Sequence, residues 1–116
     1  MTYVDGFLLA VKTGMKDAYI KMAEDCGPIF LEHGALKMVE TWGDDVPEGK
    51  VTSFPMAVKL EPDETVVFSW IIWPSKAARD EGMKKVMEDP RMKAPDPMPF
   101  DGKRMIFGGF ETIVEV

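Results

Sequence analysis

The strongest constraint on the fold is that the candidate strands are apolar on both faces. In "TVVFSWIIW" (residues 65–73), Trp70 and Trp73 are an odd number of positions apart, so a strand sends them to opposite sides of its sheet. In "TYVDGFLLAVK" (residues 2–12), Tyr3, Asp5, Phe7, Leu9 and Val11 share one face, and Val4, Gly6, Leu8 and Ala10 share the other. Such a strand needs cover on both sides. "KRMIFGGFETIVEV" (residues 103–116) is a further strand of this kind, and Gly108-Gly109 within it marks a bulge or a close backbone approach. A domain of 116 residues seldom has enough material to cover both faces of a sheet.

The segments between these strands set the topology. Met15, Ala18, Tyr19, Met22, Cys26, Ile29, Phe30 and His33 recur at helical spacing, with Thr13 placed to cap the helix and Gly34 to end it. Pro28 predicts a kink or a split last turn. "ALKMVETWGDD" (residues 35–45) alternates Leu36, Met38, Glu40 and Trp42 against Ala35, Lys37, Val39 and Thr41, which is a strand pattern. "TSFPMAVKLEPDE" (residues 52–64) fits a short helical turn opened by Pro55 or an edge strand, and the turn is preferred. Ser75 caps a second helix with Ala78, Met83, Val86 and Met87 as its apolar stripe, and Asp89-Pro90 stops it.

The order β-α-β-(insert)-β-α-β predicts an α+β, ferredoxin-like domain over residues 1–116, with a four-stranded antiparallel sheet and both helices on one face. The other face would be bare and apolar. A second copy of the chain covers it most economically, as a two-fold symmetric homodimer.

Composition narrows the function classes. Twenty acidic against fourteen basic residues, for a formal charge of −6, disfavour a nucleic-acid partner. No apolar run is long enough to span a bilayer, so no membrane partner is expected, and "MTYVDGFLLAVKTGMKD" lacks the basic flank of a signal peptide. A single cysteine makes the cytoplasm the default location. One histidine and one cysteine leave too few ligands for a metal site, and no cofactor motif is present: "FGGF" lies inside a strand, the wrong setting for a phosphate loop. The ten methionines read mainly as core filler, and alternatively as an adaptable binding surface.

"GALKMVETWGDDVPEGKVT", "VVFSWIIWPSKAARDEGMKKVMEDPRM", "PFDGKRMIFGGFE" and the opening "YVDGF" resemble the YbaA-like bacterial family of unknown function. In architecture that family is similar to the dimeric alpha-beta barrel superfamily, which includes antibiotic-biosynthesis monooxygenases. The resemblance implies that the sheets of two chains close into one barrel. It also implies that any pocket lies between each chain's sheet and its helices.

The candidate residues are few. His33, just before Gly34, reads first as a capping or packing histidine, and alternatively as a catalytic acid or base pointed at the sheet. Glu40 between Met38 and Trp42, and Asp5 between Tyr3 and Phe7, are carboxylates on apolar strand faces, where burial would raise their affinity for a proton. A rim position paired with Lys or Arg is the plainer alternative. Trp42 and Trp70 are candidate walls for a flat apolar ligand, and Arg104 is a candidate anchor for an anionic group. Cys26 reads as an inert buried thiol, and Arg91 in "DPR" as a helix-stop residue paired with Asp89. The expectation is a homodimer that binds a small apolar or aromatic ligand. The alternatives are a cofactor-free monooxygenase-like or isomerase-like enzyme using His33 or Glu40, and an interaction module without a ligand site.

Overall fold

A computed structural model describes residues 1–116. Strand β1 (Tyr3–Lys12) leads through a short 3-10 turn into helix α1 (Lys16–Glu32), followed by β2 (Lys37–Trp42). A short helix α2 (Phe54–Ala57) precedes β3 (Glu64–Trp73), and α3 (Lys76–Glu88) and β4 (Ile106–Glu111) complete the chain. The antiparallel sheet has the order β2-β3-β1-β4, which is the ferredoxin-like arrangement that the element order predicts.

Register divides the side chains between the two faces. Met38 lies opposite Ile71, Glu40 opposite Ser69 and Trp42 opposite Val67, while on the other side of β3 Tyr3 pairs with Trp73, Asp5 with Ile71 and Leu9 with Val67. These residues share the face under α1 and α3. Ile29, Phe30, Ala35, Ile71, Trp73 and Val86 form one core cluster there, and Leu9, Val11, Tyr19 and Val67 form a second. Trp73 is fully buried, whereas Trp70 lies on the opposite face beside Phe68, with ring centroids 5.3 Å apart.

Local chemistry accounts for most element ends. The Ser75 hydroxyl accepts a hydrogen bond from the Ala78 N–H at 3.0 Å, the expected cap of α3. Ser53 does the same for Met56 at 3.1 Å, so residues 54–57 form the helical turn favoured above, with Pro55 in its first turn. Gly34, at φ +110°, turns the chain out of α1.

Several details depart from expectation. Thr13 does not cap α1: its hydroxyl pairs with that of Thr65 at 2.7 Å, and the chain enters the helix through the 3-10 turn instead. Pro28 is exposed and does not split α1, because Gly27, Ile29 and Phe30 beside it are buried and hold the turn against the sheet. β4 is shorter than its pattern: regular pairing with β1 ends at Tyr3–Glu111, with only the Thr112 N–H reaching the Thr2 carbonyl beyond it, and Lys103 and Arg104 fall in a separate turn. The ladder runs without a bulge through the Gly6–Gly108 and Asp5–Gly109 pairs; Gly109 marks a close approach, to Arg79 and Tyr3, whereas Gly108 has ordinary room for a side chain.

The second face is only partly bare. Residues of the 43–63 segment fold over one end of it, where Val58 packs with Ala10 and Val66, flanked by Val46 and Leu60. The remainder stays open, with Phe68, Ile106 and Phe110 exposed and Phe54 edge-on to Phe68 at 5.8 Å. No helix is long and apolar enough to cross a membrane.

Candidate functional site

The site grows from one cross-strand pair. Glu40 on β2 lies opposite Ser69 on β3, both on the helix-covered face. Tyr19, one turn into α1, is buried above them and donates its phenolic hydrogen to Glu40 Oε1 at 2.6 Å. β2 is an edge strand, so Glu40 as a residue remains exposed, but its carboxyl group faces an apolar cavity. Burial pushes the Glu40 carboxyl up from its ordinary value of 4.5, while the Tyr19 and Ser69 hydroxyls pull the other way. Burial and the adjacent Glu40 raise the Tyr19 phenol far out of its usual range, so Tyr19 remains a hydrogen-bond donor.

The cavity has a volume of about 510 Å3 and lies between the sheet, α1 and the 92–105 segment. It is lined mostly by apolar side chains, including Met22, Met38, Met87, Met92, Met98 and Met105. Apolar walls with a few convergent polar groups are the usual construction of a small-molecule site.

Asp5 lies on the same face but in a different setting. It accepts a hydrogen bond from Trp73 Nε1 at 3.0 Å, and Arg79 Nε lies 3.2 Å from its other oxygen. Burial pushes Asp5 up, opposed by the Arg79 charge and the Trp73 bond. Asp5 and Arg79 line a second cavity, of about 470 Å3, beside Phe107, Gly108 and Gly109.

Residues 2–102 match the family described as "Protein of unknown function (DUF1428)". The chain belongs to that family. It is 60% identical to the "Uncharacterized protein YbaA" of Escherichia coli (strain K12) over 116 residues, covering 99% of both chains, and equally identical to its namesake in Shigella flexneri. Among solved structures it is similar to a dimeric ferredoxin-like protein from an uncultured marine organism, with a TM-score of 0.66 and 11% identity over 99% of this chain and 98% of that one. That likeness establishes the fold alone.

In this member of the family, the other expected residues do not converge on Glu40. His33 is the C-cap of α1 and turns to α3: its Nε2 lies 3.0 Å from Asp89 Oδ2, so it does not line the cavity with Glu40. Asp89 also accepts from Arg91, which reaches Glu32 as well, and Arg91 and His33 together hold the Asp89 carboxyl far below its usual range. Trp42 packs beside the Leu9–Tyr19 cluster with Lys16 Nζ 5.2 Å from its ring centre, outside the cavity wall. Trp70 is on the opposite face, so the two tryptophans cannot sandwich one ligand. Arg104 makes a two-pronged pair with Glu64, at 2.8 and 2.6 Å, and also donates to the Lys59 carbonyl at 2.9 Å. It braces the start of β3 and is not free to anchor a ligand.

Tyr19, Ser69 and Arg79 escaped notice as site residues. Tyr19 was visible as a member of the α1 stripe, and Arg79, Met83 and Val86 share one face of α3 by spacing alone. Only the packing of α1 and α3 on the sheet reveals that Tyr19 meets Glu40 and that Arg79 meets Asp5.

Proposed function

We propose that the protein is a cytoplasmic homodimer that binds a small apolar or aromatic molecule between its sheet and helices. The observation that carries this reading is the methionine-lined cavity with the Glu40–Tyr19 pair on its wall. Thioether side chains adapt to irregular shapes, and one acceptor carboxylate orients a ligand bearing a hydrogen-bond donor. The open sheet face with Phe68, Trp70 and Phe110 supports pairing of two copies, and the structurally similar marine protein is described as dimeric. Closure of two sheets in this way would give the dimeric alpha-beta barrel of the antibiotic-biosynthesis-monooxygenase-like superfamily.

A second reading, an isomerase-like enzyme, is favoured by one observation: burial makes Glu40 a better proton acceptor than an ordinary carboxylate. It would work without His33.

The test is saturable binding of the neutral dye Nile red, compared with an Ala23→Trp variant. Ala23 is on α1 and lines the cavity, so an indole there fills it from the helix side. Saturable emission from the wild type, lost in a variant with an unchanged circular dichroism spectrum, is expected. Equal emission from both would place dye binding elsewhere and overturn the reading.

A further inference from the structure

The two cavities on the helix-covered face are neighbours. Phe7, Met87 and Met105 line both, so these three side chains are the partition between them. Two of the three are methionines, whose three rotatable bonds let them swing aside at little expense. Met87 is also exposed at the rim, with room to move.

Each end of the combined space carries a different polar group. At one end stand the Glu40 carboxylate and the Tyr19 hydroxyl. At the other stands Arg79, whose Nη1 donates to Asp80 at 2.9 Å and whose Nη2 donates to the Tyr3 hydroxyl at 3.2 Å, with Nε against Asp5. A guanidinium has five N–H groups. One N–H on each terminal nitrogen has no protein acceptor, and the buried Nε, although 3.2 Å from Asp5 Oδ1, makes no hydrogen bond either.

Gly109 makes this end possible. A Cβ at that position would collide with Arg79 Nη2 and the Tyr3 hydroxyl, so the bare glycine backbone is what admits the guanidinium beside the sheet. Charge then limits what can bind. Asp5 and Asp80 already balance Arg79, and the whole chain carries −6, so a second anion would be poorly held and a neutral acceptor well held.

The register gives the span. Glu40 faces Ser69, Ser69 faces Phe7, and Asp5 is two residues along β1 from Phe7. Two strand spacings combined with two residues of rise place the ends about 12 Å apart.

We propose that the two cavities form one channel whose occupant is an elongated neutral amphiphile, with a hydroxyl or similar donor at Glu40 and a carbonyl acceptor at Arg79. This rests on the ligand-site reading above and specifies its ligand class.

The test is calorimetric titration of the wild-type protein with 1-octanol, methyl 8-hydroxyoctanoate and 8-hydroxyoctanoate. Octanol needs only the Glu40 cavity, whereas the ester can reach both ends. The ester is expected to bind about tenfold more tightly than octanol, the increment of one hydrogen bond to a charged donor. The free acid is expected to bind more weakly than the ester. Arg79→Gln should erase the ester's advantage while the octanol affinity, which reports an intact pocket, is retained. Gly109→Ala should do the same by displacing the guanidinium, and serves where the Gln variant does not fold. If neither octanol nor the ester binds, the ligand-site reading itself fails. If octanol binds and the ester binds no more tightly, the channel alone is overturned, and an acid that outbinds the ester overturns the neutral class.

Discussion

Glu40 carries the clearest consequence at the scale of single residues. Its folded-state affinity for a proton is raised above the ordinary value of 4.5, so between 4.5 and the raised value the folded protein holds the proton more firmly than the unfolded chain. Stability from this group therefore falls as pH rises through that window, and the penalty is absent below it. Glu40→Gln keeps an acceptor for the Tyr19 hydroxyl but cannot ionise. Urea melts of both proteins from pH 4.5 to 8 should show the variant gaining on the wild type as pH rises, and a constant difference would count against burial of the carboxyl. Asp5 titrates in the same direction but is common to both proteins and cancels. Cys26 is half-buried on the cavity wall, and burial raises its thiol. Labelling by a thiol reagent at pH 7.5 is expected to be slow and to slow further with 1-octanol bound; rapid labelling unaffected by octanol would show the thiol to be clear of the cavity. Glu40 stands out in the sequence as a carboxylate between Met38 and Trp42, and in the structure it borders an apolar cavity. His33 is the capping residue that its place before Gly34 first suggests, but its contact with Asp89, like that of Arg104 with Glu64, was not legible, because a single chain's pattern shows which face a residue occupies and not which distant charge will claim it.

At the scale of elements, α3 is seated through a small residue that no pattern announces. A Cβ on Gly82 would collide with the Trp73 ring and lie 2.5 Å from the His33 carbonyl oxygen. Gly82→Ala removes a flexible residue from a helix, which alone would stabilise it. Here overpacking should win, with a loss of about 1–3 kcal/mol by chemical denaturation. A stability gain would mean that α3 sits farther from the sheet. Strand and helix identities were readable because their periods are unambiguous: β3 alternates sides through Trp70 and Trp73, and Ser75 marks the next helix start. Ends were less readable. The stop of β4 after Glu111 is set by where its neighbour β1 begins, which is a property of the pair and not of either strand. Likewise, the cover that α2 and its flanks give to one end of the second face comes from the 43–63 segment, whose mixed pattern named a helical turn without saying where it would pack.

For the whole molecule, the apolar patch left by α2 governs assembly. Trp70→Arg places a charge at a half-buried position beside the exposed Phe68 without touching the helix-side core, since Trp70 points away from it. Sedimentation velocity is expected to show a dimer for the wild type and a monomer for this variant at micromolar concentration; two identical species would show that the face is not the contact. The fold class and the two-sided character of the sheet were legible because they follow from order and alternation. The cavity was not, because it depends on how α1 and the 92–105 segment stand off from the sheet. The most direct measurement of the central claim is an NMR titration of [methyl-13C]methionine-labelled protein with 1-octanol. Met22, Met38, Met87, Met92, Met98 and Met105 line the site, whereas Met56 lies in the helix of the 43–63 insert, outside that wall, and Met1 is exposed at the chain terminus. Saturable shifts confined to the cavity methyls, with Met1 and Met56 unmoved, are the expected result. Shifts at Met56 with the cavity methyls silent, or no saturable shift at all, would contradict a ligand site between sheet and helices.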